Sequence, residues 1–209
     1  MKSEDKSAIL ARHRRELEQH GYGADLRENL TFIAGVISTT CRELGSVVPV
    51  IVGGFAVEIY TMGQYLTHDL DMITTANIDL EEIMTGLGFT QRLGNRYWTH
   101  SALGDVVEFP PPPLEGSQER VTIMELENGA EVLLIGVEDL LLNRLEEFVF
   151  WAHSSRTASS ALQLLLLLKA HGDRLDWPYL EREAEKREVA EGLQRIRAIY
   201  AEETTTHDA

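Results

Sequence analysis

The chain has 209 residues, of which 44% are hydrophobic and 25% are charged, and its formal net charge is −15. This length and composition are typical of a soluble globular protein with one substantial core, with or without a helical appendage. The acidic balance disfavours non-specific binding to a nucleic-acid backbone, because such binding needs lysine and arginine to displace counterions.

Cysteine content and apolar runs indicate the cellular setting. The single cysteine, Cys41, excludes an intrachain disulfide and a cysteine cluster for zinc. The first residues are charged and lack the apolar core of a signal peptide. The most apolar run, residues 161–168, is far shorter than the roughly 20 residues that span a bilayer. We therefore expect a cytoplasmic protein with no membrane segment.

The N-terminal part is predicted to begin with two helices. The first covers residues 7–20, and the second, capped by Asp25 or Asn29, carries apolar residues at helical spacing. Residues 47–52 are β-branched and nearly all apolar, which predicts a strand buried on both faces.

A glycine pair interrupts the chain after this strand. Gly53 and Gly54 predict a turn, residues 55–62 fit a short helix, and residues 69–74 fit a second strand. Asp79 is predicted to cap a further helix.

The remaining elements are three strands, a hairpin and a helical C-terminal third. The strands are predicted over residues 89–92, 96–100 and 106–109, and the hairpin joins residues 121–126 to 131–135 around Asn128–Gly129. The helices are predicted over residues 137–151, 157–170 and 177–200. The organisation is therefore α+β, in three parts: a helical lead over residues 1–28, an α/β core over residues 29–136 and a helical region over residues 137–209.

Two aspartates on the second predicted strand suggest chemistry. Asp69 and Asp71 are two residues apart, so on a strand both carboxylates leave the same face. Like charges on one face repel each other, and a divalent cation such as Mg²⁺, which prefers carboxylate oxygens, is the commonest reason to keep them. A glycine turn that can approach phosphates, beside such a pair, indicates handling of a nucleoside triphosphate.

Glu108 is a third acidic candidate. It lies late in a later predicted strand, just before a run of four prolines that must end the strand. If that strand is a neighbour of the Asp69 strand, the three carboxylates converge. Such a trio, together with substrate phosphates, could hold two metal ions about 3.5–4 Å apart.

The glycine pair, the short helix and Asp69-Leu70-Asp71 together resemble the signature of the DNA polymerase β-like nucleotidyltransferase superfamily. Its pattern is an apolar residue, Gly, then Gly or Ser, a spacer and Asp-apolar-Asp/Glu-apolar, and Glu108 is similar to its third carboxylate. Residues 131–145 are also similar to the strand-to-helix passage of small prokaryotic members such as the AbiEii-like toxins. The resemblance covers about residues 30–150 and implies a mixed β-sheet flanked by helices.

The resemblance also implies an activity. A nucleoside monophosphate would pass from an NTP to a hydroxyl on a protein, a tRNA or a small molecule, in a setting that includes toxin–antitoxin systems. Mg²⁺ or Mn²⁺ would be held by the catalytic residues Asp69, Asp71 and Glu108. The nucleotide would be bound by Gly53, Gly54, Thr67, His68 and Arg96.

Other hypotheses remain open at this point. The chain could be an inactive nucleotide-binding regulator or toxin–antitoxin component, with the helical C-terminal region as the surface for a protein partner or a second copy. The Asp-x-Asp pair could instead hold a nucleotide-sugar in a glycosyltransferase. At the residue level, the acids could be solvated surface charges, and Tyr97 and Trp98 could either stack on a base or belong to the core.

Overall fold

A computed structural model describes residues 3–21, 25–74, 79–91, 97–104, 106–150 and 155–207. Within these residues the chain forms eight α-helices and seven β-strands. The helices are α1 (Ser3–His20), α2 (Leu26–Glu43), α3 (Gly53–Tyr60), α4 (Leu80–Gly86), α5 (Val137–Phe150), α6 (Ser155–His171), α7 (Trp177–Lys186) and α8 (Ala190–His207). The strands are β1 (Val50–Val52), β2 (Asp69–Ile73), β3 (Phe89–Gln91), β4 (Tyr97–His100), β5 (Val106–Glu108), β6 (Thr122–Glu125) and β7 (Glu131–Leu134).

The strands form one mixed sheet in the order β3-β4-β5-β2-β1-β7-β6. β1 pairs antiparallel with β2 and parallel with β7, and β2 pairs parallel with β5. The pairs β3–β4, β4–β5 and β6–β7 are antiparallel. The α+β class is confirmed, and the pairing of β2 with β5 is the neighbour relation on which convergence of the three carboxylates depends.

One face of the sheet is buried in the core. Ile51, Leu70, Met72 and Val107 leave this face and are fully buried, because alternate residues of a strand point the same way. α2 contacts β2 and β7, and α4 contacts β3. The acidic residues of β2 and β5 alternate with the buried residues Leu70, Met72 and Val107, and so leave the opposite face.

The start of α2 is fixed by a side-chain cap. The Asp25 carboxylate accepts hydrogen bonds from the backbone N–H groups of Arg27 and Glu28, at 2.8 and 3.3 Å. These groups have no partner within the helix, so a carboxylate there stabilises its first turn. Of the two caps considered from the sequence, Asp25 is confirmed, whereas Asn29 is buried inside the helix.

The predicted single helix over residues 177–200 is wrong, because α7 and α8 are separate helices. Glu188 adopts a left-handed φ of +60°. Its N–H donates to the Glu185 carbonyl at 3.1 Å, and the N–H of Val189 donates to the Ala184 carbonyl at 2.9 Å. This is the Schellman arrangement that ends a helix. The left-handed position of this arrangement is usually a glycine. Because it is a glutamate here, the sequence did not indicate that a helix ends at this point.

Contacts divide the chain into two units. The first, Met1–Ala56 with Leu66–Leu114 and Val121–Ile135, contains the whole sheet. The second, Val57–Tyr65 with Glu115–Arg120 and Gly136–Ala209, contains α5 to α8. The three-part division expected from the sequence stays a prediction. Across the described ranges, no helix combines the length and the apolar character needed to cross a bilayer.

Candidate active site

Three carboxylates lie together on the neighbouring strands β2 and β5. In the pairing of these strands, Asp71 lies opposite Glu108. One oxygen from each of Asp69, Asp71 and Glu108 can be chosen so that all three oxygens lie within 4.8 Å of one another. The structure therefore brings together the three acids that the sequence singled out.

The strand alternation explains how the acids face away from the core. Asp69 and Asp71 are half-buried, whereas the intervening Leu70 is fully buried on the other face. Glu108 is 6% exposed, so its carboxylate has little access to water. Three clustered carboxylates repel each other, and burial adds a desolvation cost to each charge. A donor set made only of carboxylate oxygens fits a hard divalent cation, which would offset both costs.

Thr67 holds one of these carboxylates in place. Its hydroxyl donates a hydrogen bond to Asp69 Oδ1 at 2.7 Å, and the residue is only 9% exposed. The bond restrains the orientation of the Asp69 carboxylate within the acidic cluster. Support of this kind is typical of carboxylates that bind metal. The contact of Thr67 with a nucleotide, expected from the sequence, stays a prediction.

Gly53 lies directly against Asp71. It has a φ of +65°, and a Cβ built on it would lie 2.0 Å from Asp71 Oδ2 and 2.8 Å from Cγ. Only glycine fits here, since both the backbone conformation and the neighbouring carboxylate exclude a side chain. The close approach brings the backbone of α3 to the edge of the acidic cluster.

The left-handed φ of Gly53 turns the chain between β1 and α3, as the glycine pair predicts, although both glycines fall within the bounds of the helix. The helix begins at Gly53, two residues earlier than the predicted start at residue 55. The first N–H groups of a helix lack partners within it and carry its positive partial charge. This positive end therefore lies beside Asp71 and could receive phosphate oxygens.

The other predicted nucleotide-binding residues differ in status. The side chain of His68 is exposed, one residue before Asp69. Arg96 lies outside the residues that the structure describes. Both assignments stay predictions.

Tyr97 is a neighbour that the sequence did not connect with the acids. In the β4–β5 pairing it lies opposite Glu108, so the two side chains share one face of the sheet. Tyr97 is half-buried, whereas the adjacent Trp98 is 5% exposed and belongs to the core. From the sequence alone, either aromatic residue could stack on a base or belong to the core. The strand register puts Tyr97 on the face of the acids and Trp98 in the core.

Comparisons with known proteins support the fold. No family model and no curated protein matches the sequence. The chain resembles the crystal structure of an antigenic nucleotidyltransferase-like protein from Paracoccidioides brasiliensis, with a TM-score of 0.53, 14% identity, and 83% of this chain and 94% of that chain covered. It also resembles the antibiotic-resistance factor ANT(2'')-Ia, with a TM-score of 0.50, 18% identity, and coverages of 88% and 100%. The fold is therefore nucleotidyltransferase-like, while the AbiEii-like subgroup stays a prediction.

Proposed function

We propose that the protein transfers a nucleoside monophosphate from an NTP to a hydroxyl acceptor and releases pyrophosphate. The observation that carries this proposal is the clustering of three carboxylates within 4.8 Å on β2 and β5, in a nucleotidyltransferase-like fold. The glycine-rich start of α3 beside Asp71 supplies the complementary group for an anionic triphosphate.

Asp69, Asp71 and Glu108 would hold Mg²⁺, or Mn²⁺ with similar oxygen preference. When bound, the cation would neutralise charge on the attacked phosphate and on the departing pyrophosphate. Thr67 would keep Asp69 oriented for this task through its 2.7 Å hydrogen bond. Most of the rate acceleration would come from positioning and from charge stabilisation.

The transfer itself is an in-line displacement at the α-phosphorus. The acceptor oxygen forms a bond to this phosphorus, and the bond to the bridging oxygen breaks, so that its electron pair leaves with pyrophosphate. Glu108 accepts the proton of the acceptor hydroxyl, and the proton then passes to the departing pyrophosphate. The first N–H groups of α3, at Gly53 and Gly54, bind the triphosphate, with His68 and Arg96 as further contacts.

The identity of the acceptor is a separate question. A protein, a tRNA and a small molecule all offer the required hydroxyl. The toxin–antitoxin setting depends on the similarity of residues 131–145 to the AbiEii-like proteins, and the cytoplasmic location depends on the sequence alone. Both stay predictions.

The proposal is tested with each NTP labelled at the α-phosphate. Wild-type protein with Mg²⁺ should release pyrophosphate and form labelled product, with water as the acceptor when no other is supplied. Asp71→Asn removes one metal-binding charge without changing side-chain size, and should lower the rate by about 10²–10³-fold. Folding should be preserved, because the substitution also relieves repulsion between neighbouring carboxylates.

A matched control separates the site from the overall charge. Glu125→Gln removes an equal charge from an exposed position on β6 and should leave the rate unchanged. Transfer by Asp71→Asn at the wild-type rate would refute the assignment. Binding of NTP and Mg²⁺ without release of pyrophosphate would instead favour the inactive nucleotide-binding regulator.

A further inference from the structure

We propose that the acceptor substrate lies over β4, where Tyr97 and Thr99 contact it. This inference rests on the proposed function and assigns the side of the site from which the hydroxyl enters. It follows from the order in which the strands present their side chains across the sheet.

The strand register forms a row across the site. Tyr97 lies opposite Glu108, Glu108 opposite Asp71, and Asp71 opposite Val52. Opposed residues send their side chains to the same face of the sheet, and in the antiparallel pairs their Cβ atoms are about 4.5–5.5 Å apart. The row therefore runs from Tyr97 through the two acids to Val52, and Gly53 follows Val52 at the start of α3.

The reaction geometry gives this row a direction. In an in-line displacement, the entering and leaving oxygens lie on opposite sides of the phosphorus. The triphosphate, and hence the leaving pyrophosphate, belongs at the Gly53 end, where helix N–H groups receive it. The acceptor therefore enters from the opposite end of the row, past Glu108, and the rest of its structure lies over β4.

The surface of β4 suits such a substrate. Thr99 and its β3 partner Thr90 are exposed on the same face as Tyr97, whereas Trp98 and His100 are buried on the other face. A half-buried tyrosine ring offers a flat apolar surface, and the threonine hydroxyls offer hydrogen bonds. The acceptor that fits has a flat apolar face and a hydroxyl at its edge.

A tethered alcohol tests this side of the site without knowledge of the natural acceptor. Thr99→Cys would be joined by a disulfide to mercaptoethanol, mercaptobutanol or mercaptohexanol. Thr99 pairs with Val106, and a diagonal of about 7–8 Å between Cβ atoms leads to Glu108, which these tethers can span. Cys41 will not compete for the reagent, because it is fully buried and burial raises the pKa of its thiol to about 12.

Gln91→Cys with the same alcohols is the matched control. Gln91 is also exposed on the β3–β4 hairpin, but it pairs with Trp98 and so leaves the opposite face. With Mg²⁺ and α-labelled NTP, the Thr99→Cys adduct should acquire label at least about tenfold faster than the Gln91→Cys adduct. The label should leave with the alcohol on reduction, and should be lost when Asp71→Asn is added.

Three results would overturn the inference. The first is equal labelling of both adducts, and the second is no labelling of the Thr99→Cys adduct at any tether length, in each case by protein that still cleaves NTP to NMP and pyrophosphate. Both of these leave the proposed function intact. The third is absence of NTP cleavage by the wild-type protein, which removes the proposed function and the inference with it.

Tyr97 variants distinguish contact with the acceptor from contact with the nucleotide. Tyr97→Ala should slow transfer to the tethered alcohol, and Tyr97→Phe should restore it. Neither should change binding of Mg²⁺ and a non-hydrolysable NTP analogue. If Tyr97→Ala weakens that binding by about tenfold, as loss of a stacked base would, the ring contacts the nucleotide and the assignment is wrong.

Discussion

At the residue scale, Gly53 links the backbone of α3 to the acidic cluster. Its φ of +65° alone disfavours other residues, and a Cβ would also meet the Cγ and Cβ atoms of Asp71 at 2.8 and 2.9 Å. Because several atoms of Asp71 are involved, a small rotation of the carboxylate would not relieve the overlap. The whole Asp71 side chain would have to move from its place in the acidic cluster.

Gly53→Ala should therefore lose both stability and activity. Gly45 provides a control with the same φ of +65° and no atom within 4 Å of a built Cβ. Gly45→Ala should cost only the left-handed conformation, about 1–2 kcal/mol, and keep the rate of pyrophosphate release. Gly53→Ala should cost more and abolish that release. Equal stability and undiminished release in the two variants, by urea unfolding and product assay, would refute the steric account.

His100 makes stability depend on pH. It is 3% exposed, its Nδ1 accepts a hydrogen bond from the Ala102 N–H at 3.3 Å, and its ring lies edge-on to Phe89. Burial, the largest cause, lowers its pKa from the usual 6.5. The unfolded chain therefore takes up this proton at a higher pH than the folded chain does. The contribution of neutral, buried His100 to the free energy of unfolding is fully present above about pH 6.5 and is lost as the pH falls below that value.

His100→Asn keeps an acceptor at this position but cannot take up the proton. Between about pH 7.5 and pH 5.5, wild-type protein should lose more free energy of unfolding than the variant. Urea unfolding at each pH measures this free energy. The other histidines are the same in both proteins, so their contributions cancel when the two free energies are subtracted. Identical pH dependence in the two proteins would show that His100 is not the group responsible.

At the element scale, the buried carboxylate of Asp139 holds the start of α5 in place within the second unit. Asp139 is fully buried and accepts hydrogen bonds from the Tyr179 hydroxyl on α7 at 2.6 Å and from the Ser117 N–H at 2.9 Å. Burial, followed by this hydrogen bond, raises the pKa of the Tyr179 phenol, so it remains a donor. Asp139 therefore joins α5, α7 and the segment before β6.

Tyr179→Phe should destabilise the protein by about 1–3 kcal/mol, because it leaves the buried Asp139 carboxylate with one donor fewer. The phenylalanine ring would still lie under Arg120, whose guanidinium carbon is 3.7 Å from the ring centroid. As a control on the same helix, Glu181→Gln breaks an exposed pair with Arg197 and should cost less than about 1 kcal/mol. Equal losses in urea unfolding would contradict the role given to the hydroxyl.

The elements also show what the sequence could and could not predict. Alternation along β2 predicts that Asp69 and Asp71 share a face, because that depends only on local geometry. Which strand neighbours β2 is not local: β5 follows it in the sheet, although β3 and β4 lie between them in the chain. The position of Tyr97 beside Glu108 needs this order and the register as well, so periodicity could not reveal it.

At the scale of the whole molecule, charge is the dominant property. The chain has 34 acidic residues against 19 lysines and arginines. Under the proposed function, an anionic NTP would be attracted locally, by the bound metal and the start of α3, against the general field of the protein. The same field should exclude long nucleic acids that offer no specific contact.

Duplex DNA of arbitrary sequence should accordingly show no binding in fluorescence anisotropy at about 0.15 M salt. Lower salt should not produce the steep gain in affinity that counterion release gives to basic proteins. Affinity that rises strongly as the salt concentration falls would reveal a basic surface. It would favour tRNA over a protein or a small molecule as the acceptor.

The most direct test of the central claim is the stability of wild-type and Asp71→Asn protein with each NTP, with and without Mg²⁺. A ligand that binds only the folded state adds about 2.7 kcal/mol at a hundredfold excess over its Kd. We predict a gain for wild-type protein that needs both NTP and Mg²⁺ and is lost in Asp71→Asn. An equal gain in the variant, or a gain that does not need Mg²⁺, would contradict a metal-dependent nucleotide site at Asp69, Asp71 and Glu108.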